Sequence, residues 1–137
     1  MRLVVIESPY AGSVEMNVEY AKRAVIDSLC KGEAPIASHL LLAANGICND
    51  NIPYQRAVGI GAGLAWHSVC DVIAFYVDLG MSPGMEEAQS HAIKNGYAGK
   101  IVFRSMFSED YADALWRERE KEHCDFDLAT SGMRGME

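Results

Sequence analysis

The chain opens on Leu3-Val4-Val5-Ile6-Glu7, an almost unbroken apolar run. A strand buried on both faces, as in the middle of a parallel sheet, has this pattern instead of alternation. Ser8-Pro9-Tyr10-Ala11-Gly12 ends the run with turn residues. Ser13 is then placed to cap a helix reaching about Cys30, along which Val14, Val18, Ala21, Val25 and Leu29 recur at helical spacing. Glu19 and Arg23 stand four apart on its outer face, and Lys31-Gly32 offers a basic last turn with a glycine to close it.

Further along, the same two periods alternate. Pro35-Ile36-Ala37-Ser38-His39 reads as a short second strand, followed by a turn-rich loop through Asn45-Gly46 and Asn49-Asp50-Asn51. Pro53 suits the first turn of a helix running to about Cys70. Val72-Ile73-Ala74-Phe75-Tyr76-Val77 is a third strand ending at Asp78. Leu79-Gly80-Met81-Ser82-Pro83-Gly84 leads into a helix of about Met85 to Lys94, stopped by Asn95-Gly96. Lys100-Ile101-Val102-Phe103-Arg104 is a fourth strand. A last helix spans about Ser108 to Lys121, with a polar tail from about 122.

Strands alternating with helices imply a parallel sheet with right-handed crossovers. The expected fold is a three-layer, flavodoxin-like (Rossmann-like) α/β domain with four to five strands, filling residues 1–137 as one unit. In such sheets ligands bind beyond the carboxyl ends of the strands, where the strand order reverses. That crevice would lie between the first and third strands, beside Glu7-Ser8-Pro9-Tyr10 and Asp78-Leu79-Gly80.

Composition narrows the class. The chain has 137 residues, half of them hydrophobic, which fits one compact soluble domain and excludes disorder. Apolar runs long enough to span a bilayer are missing, and the first residues turn acidic too soon for a signal peptide, so a cytoplasmic protein is expected. Net charge is −7, with nine acids against four bases from Ser108 onward. Duplex nucleic acid, which demands a stripe of Lys and Arg, is therefore not an expected partner. Cys30, Cys48, Cys70 and Cys124 lie far apart; the first three sit in apolar stretches and read as small buried hydrophobes. His39, His67, His91 and His123 follow no ligand spacing, so neither metal nor cofactor is expected.

Four stretches could carry chemistry. Asp78 through Ser82-Pro83-Gly84 to Met85-Glu86-Glu87 joins a strand-end carboxylate to a helix start, although acids in a first turn also simply complement the helix dipole. Glu7-Ser8-Pro9-Tyr10 could present an aromatic ring to a base or sugar, or merely end a strand. The polar loop after His39, from Asn45 to Arg56, could close over a ligand with Arg56 meeting a phosphate or carboxylate. Gly59-Ile60-Gly61-Ala62-Gly63 follows no strand and has Leu64 where a dinucleotide fingerprint needs glycine. Close helix packing explains those glycines better.

Ser8-Pro9-Tyr10 resembles the Gly-Pro-Tyr/Phe turn of the nucleoside 2-deoxyribosyltransferase superfamily. Gly84-Met85-Glu86 resembles that superfamily's Gly-Met-Glu segment, which carries its nucleophile. Together with Ala34 to His39 and Asp78 to Gly84, these residues look like a branch frequent in bacteriophages and actinobacteria, over residues 1 to about 104. The resemblance implies that Glu86 attacks an anomeric carbon and that Asp78 orients the base or shares its proton. It also implies that Glu7, Ser8, Pro9, Tyr10, His39, Arg56, Ser82, Gly84 and Met85 line a nucleoside or nucleotide. Other members place the acid four residues after the glycine, where this chain has Ala88. Three functions are thus open: an N-glycosidic transferase or hydrolase, a non-catalytic phage protein sequestering a nucleotide signal, and an assembly protein with a vestigial pocket. Superfamily enzymes are homo-oligomers, so at least a dimer is expected.

Overall fold

Val4, Val5 and Ile6 are all buried, as are Val72 through Tyr76, because both strands lie in the interior of a sheet with helices on each face. The computed structural model describes residues 1–107 and Arg117. Met1–Met106 make up one compact unit, which holds the whole sheet. The expected helix at 108–121, with Trp116, and the polar tail from 122 lie outside the described residues.

The elements run β1 (Leu3–Glu7), α1 (Val14–Cys30), β2 (Ala34–Ile36), α2 (Ser38–Leu42), α3 (Pro53–Ala65), β3 (Val72–Tyr76), α4 (Pro83–Lys94) and β4 (Ile101–Arg104), with short 3₁₀ turns at Trp66–Ser68 and Ala98–Lys100. The four strands form one all-parallel sheet in the order β2-β1-β3-β4. This is the expected α/β architecture, and the order reverses between β1 and β3, also as expected.

Pleating sorts the strand residues to two faces. Val5, Ile73 and Phe75 pack with Met85, Ala88 and Ala92 of α4, with Leu64 of α3 at the edge of the cluster. Tyr76, on the opposite face, reaches Asp27 of α1 through its hydroxyl at 2.7 Å. Helices therefore cover both sides. Among the described residues no helix is long and apolar enough to cross a membrane.

Two local expectations need correction. The inward stripe of α1 is Met16, Asn17, Tyr20, Ala21, Ala24 and Ser28, whereas Val14 and Leu29 are exposed. Hydrogen bonds turn the helix this way: the Asn17 amide donates to the Tyr10 and Ala11 carbonyls, and the Ser28 hydroxyl to Glu33. Cys30, in the last turn, consequently faces outward, while Cys48 is half-buried and, among the described residues, only Cys70 is a buried cysteine. The second correction is that Ser38 and His39 begin α2 and do not end β2, and that α3 stops at Ala65. Of the α3 glycines, Gly63 serves close packing, since a Cβ there would lie 2.5 Å from the Ser38 hydroxyl of α2; a Cβ on Gly61 would meet nothing within 4 Å.

Candidate functional site

Strands of a parallel sheet all present their carboxyl ends on one side, and helix α4 starts on that side with its positive dipole end. Ser82 caps α4, its hydroxyl accepting from the Met85 N–H at 3.2 Å, while the Ser82 N–H donates to the Met85 sulfur. Pro83 follows with φ already suited to a first turn. This fixes Ser82, Gly84 and Met85 opposite the end of β1.

Between them lies a cavity of about 350 Å³. Its wall is made by Glu7 at the end of β1 with Ser8 and Tyr10 after it, by Ser38, His39 and Leu42 of α2, and by Cys48 and Asp50 of the following loop. Arg56, Gly59, Ile60, Gly63 and Leu64 contribute one face of α3, and Ser82 to Met85 with Ala88 contribute α4. The close approach of α2 to α3 at Gly63 brings His39 over the strand end.

His39 Nε2 lies 2.9 Å from the Ser8 hydroxyl, and its ring meets Tyr10 edge-on with centroids 6.3 Å apart. Burial lowers the His39 pKa, with the Glu7 carboxylate pulling the other way. Glu7 is itself held from behind. Its Oε1 is 3.1 Å from Nε2 of His67, a side chain with no exposure at all. The other ring nitrogen of His67 lies 3.3 Å from Nδ1 of His91 on α4.

The structure thus gathers Glu7, Ser8, Tyr10, His39, Arg56, Ser82, Gly84 and Met85 around one cavity. It does not bring three other candidates to that wall. Pro9 is buried in the turn, and Glu86 is exposed on α4. Asp78 is bound elsewhere: its carboxylate accepts from the Tyr20 hydroxyl at 2.5 Å and from the Met106 N–H at 3.0 Å. On α4 the wall position falls to Met85 and Ala88, both buried one turn apart, which turns Glu86 to solvent.

Sequence reasoning missed His67 and His91 entirely. They are 24 positions apart and meet only because α4 packs beside the turn that follows α3. No local spacing announces such a pair. Asp50 and Arg56 were legible as a polar loop, but Ser38 and Ala88 join the wall only through the helix packing. Among the described residues no cluster of His, Cys, Asp or Glu could hold a metal ion.

Fold and cavity together define the class: an open parallel α/β protein with a pocket at the switch point of its sheet. Within that class, the chain belongs to a family of domains of unknown function, DUF7768, whose model matches residues 2–102. Comparison with curated proteins and with solved structures gave no match.

Proposed function

We propose that this protein binds a nucleoside or nucleotide in the cavity at the ends of β1 and β3, on a scaffold related to the nucleoside 2-deoxyribosyltransferases. One observation carries this reading. The turn and helix-start segments that resemble that superfamily, distant in sequence, face each other across a single cavity whose volume suits a ligand of this size. Tyr10 offers a ring to a base. The Ser8–His39 pair and Asp50 suit sugar hydroxyls. Arg56 and the start of α4 suit a phosphate.

Native mass spectrometry with a panel of nucleosides and their monophosphates tests it. One ligand retained at fixed stoichiometry is the expected result, and no binding across the panel overturns the reading. Arg56→Ala should weaken a bound monophosphate about 10–100-fold, the worth of a charge-assisted hydrogen bond, and leave the parent nucleoside nearly unchanged. Equal losses for both would remove Arg56 from the phosphate role.

Non-catalytic sequestration is favoured by a separate observation: Glu86 and Asp78, the two carboxylates the resemblance makes catalytic, are both off the cavity wall. On that alternative the ligand leaves the protein unaltered. The setting we propose for either is the cytoplasm.

A homo-oligomer is part of the same proposal. Opposite its cavity face, α3 and the turn beyond it expose Tyr54, Val58, Trp66 and Val69. These positions form an uncharged stripe on a chain of net charge −7. An uncharged apolar contact adds no close like-charge pairs to the repulsion between two chains of this net charge, so a second copy fits this stripe. Light scattering after size exclusion should show at least a dimer, and Val58→Glu with Val69→Glu should return it to a monomer. A wild-type monomer at micromolar concentration overturns the oligomer.

A further inference from the structure

Two carboxylates reach the cavity wall, Glu7 and Asp50. Only Glu7 is fixed by a buried partner. An ionised carboxylate can only accept, so the His67 nitrogen 3.1 Å from Glu7 Oε1 carries a hydrogen. In a neutral His67 the other nitrogen is then an acceptor, and the facing nitrogen of His91 must be the donor across 3.3 Å. His67 is held in turn by its own carbonyl, which accepts from the Lys100 ammonium at 2.8 Å. This chain ties down Oε1 of Glu7, a residue of the cavity wall, and among the described residues no hydrogen bond engages Oε2.

Helix α4 brings Ser82, Pro83, Gly84, Met85 and Ala88 to the wall and no acid. If chemistry occurs at this wall, the residue with both position and orientation for it is Glu7.

Resting on the reading of the cavity as a nucleoside site, we propose that Glu7 is its reactive carboxylate, oriented by His67 and His91. Glu7 acts as general base in hydrolysis of an N-glycosidic bond. Its free oxygen takes a proton from water as the water oxygen bonds to the anomeric carbon. The carbon–nitrogen bond breaks with its electron pair passing to the base, and the base nitrogen receives the proton that Glu7 had taken. Water is the co-reactant, free sugar and free base are the products, and Glu7 returns to its ionised state. His67 and His91 touch no substrate and are positioning residues.

The test follows base release by chromatography and retained ligand by native mass spectrometry, with the same nucleosides and monophosphates. Wild type should release base. Glu7→Gln should lose it at least about 100-fold, the usual worth of a general base, while still retaining ligand. Glu86→Gln should stay within about twofold of wild type. His91→Leu should lower kcat about tenfold with KM unchanged, and His91→Gln, which keeps a donor toward His67, should restore most of it. The histidine variants decide the matter if Glu7→Gln does not fold.

Base release lost in Glu86→Gln and kept in Glu7→Gln overturns the assignment. So does ligand held unaltered by wild type, which leaves nucleoside binding standing without chemistry. Failure of wild type to bind any of the panel overturns the nucleoside reading itself, and the role of Glu7 with it.

Discussion

Glu33→Ala is expected to cost about 3–5 kcal/mol of folding stability, the usual penalty for stranding a buried charge. Glu33 is 4% exposed and stands just before β2. Two parallel hydrogen bonds join it to Arg104 at the end of β4, Nη1 to Oε1 at 2.7 Å and Nη2 to Oε2 at 2.8 Å. Ser28 of α1 and Arg2 complete the shell of donors, each at 2.9 Å. Arg104 also donates to the Tyr76 hydroxyl, which donates to Asp27. Removing the carboxylate leaves a guanidinium under α1 with no anion on it. Urea unfolding at pH 7 measures the loss, and a change below about 1 kcal/mol would show that water or Asp27 takes over.

The same pair predicts an acid dependence. Its hydrogen bonds from Arg104 hold the Glu33 carboxyl down to about 2 against an ordinary 4.5, with desolvation opposing. The folded value lies below the unfolded one, so the contribution is complete above about pH 4.5 and is lost as pH falls toward 2. Glu33→Gln should flatten that limb of the stability profile.

Glu33 also shows where sequence reading stops. The fold class was legible because β1 and β3 are apolar on both faces, and a run such as Val72 to Tyr76 has few other homes than a central parallel strand. Helix α4 was legible from about Met85, while Ser82-Pro83, read as the end of a loop, are its cap and first residue. Buried polar groups behaved differently. Asn17, Ser28, Glu33 and His67 read as surface residues by type, and each is inside because a partner elsewhere along the chain satisfies it. Those partners also rotated α1 away from its valines.

The cavity was half legible for a related reason. Turn chemistry marked Ser8 to Tyr10, and the strand-order rule placed them beside Asp78-Leu79-Gly80, whereas the wall is reached a few residues later, at Ser82 to Gly84. Which acid of α4 could face the cavity is a matter of helix phase. Met85 and Ala88 point inward because they fill the core beside Phe75, and that choice sends Glu86 outward. A motif that names Glu86 cannot register the phase. His67, with no motif at all, became visible only through its contact with Glu7.

Asp78 gives the second large effect, and it separates a structural role from the one the resemblance implies. Tyr20, 1% exposed, donates to Asp78 Oδ2 at 2.5 Å and accepts from the Asp78 N–H at 2.9 Å. The same carboxylate receives the Met106 N–H just past β4. One side chain thereby joins the end of β3 to α1 and to the chain leaving β4. Burial first, and then the bond to Asp78, push the Tyr20 phenol well above its usual range, so it remains the donor at any ordinary pH. Asp78→Ala should cost about 1–3 kcal/mol for each buried donor it strands. Combined with Tyr20→Phe, the loss should fall short of the sum of the single changes, because both remove the same contact. Ligand retention by folded Asp78→Asn should stay within about twofold of wild type. A selective loss of nucleoside binding, with the coupling to Tyr20 absent, would instead return Asp78 to the ligand, and would require the end of β3 to turn its carboxylate from α1 toward the cavity when that ligand arrives.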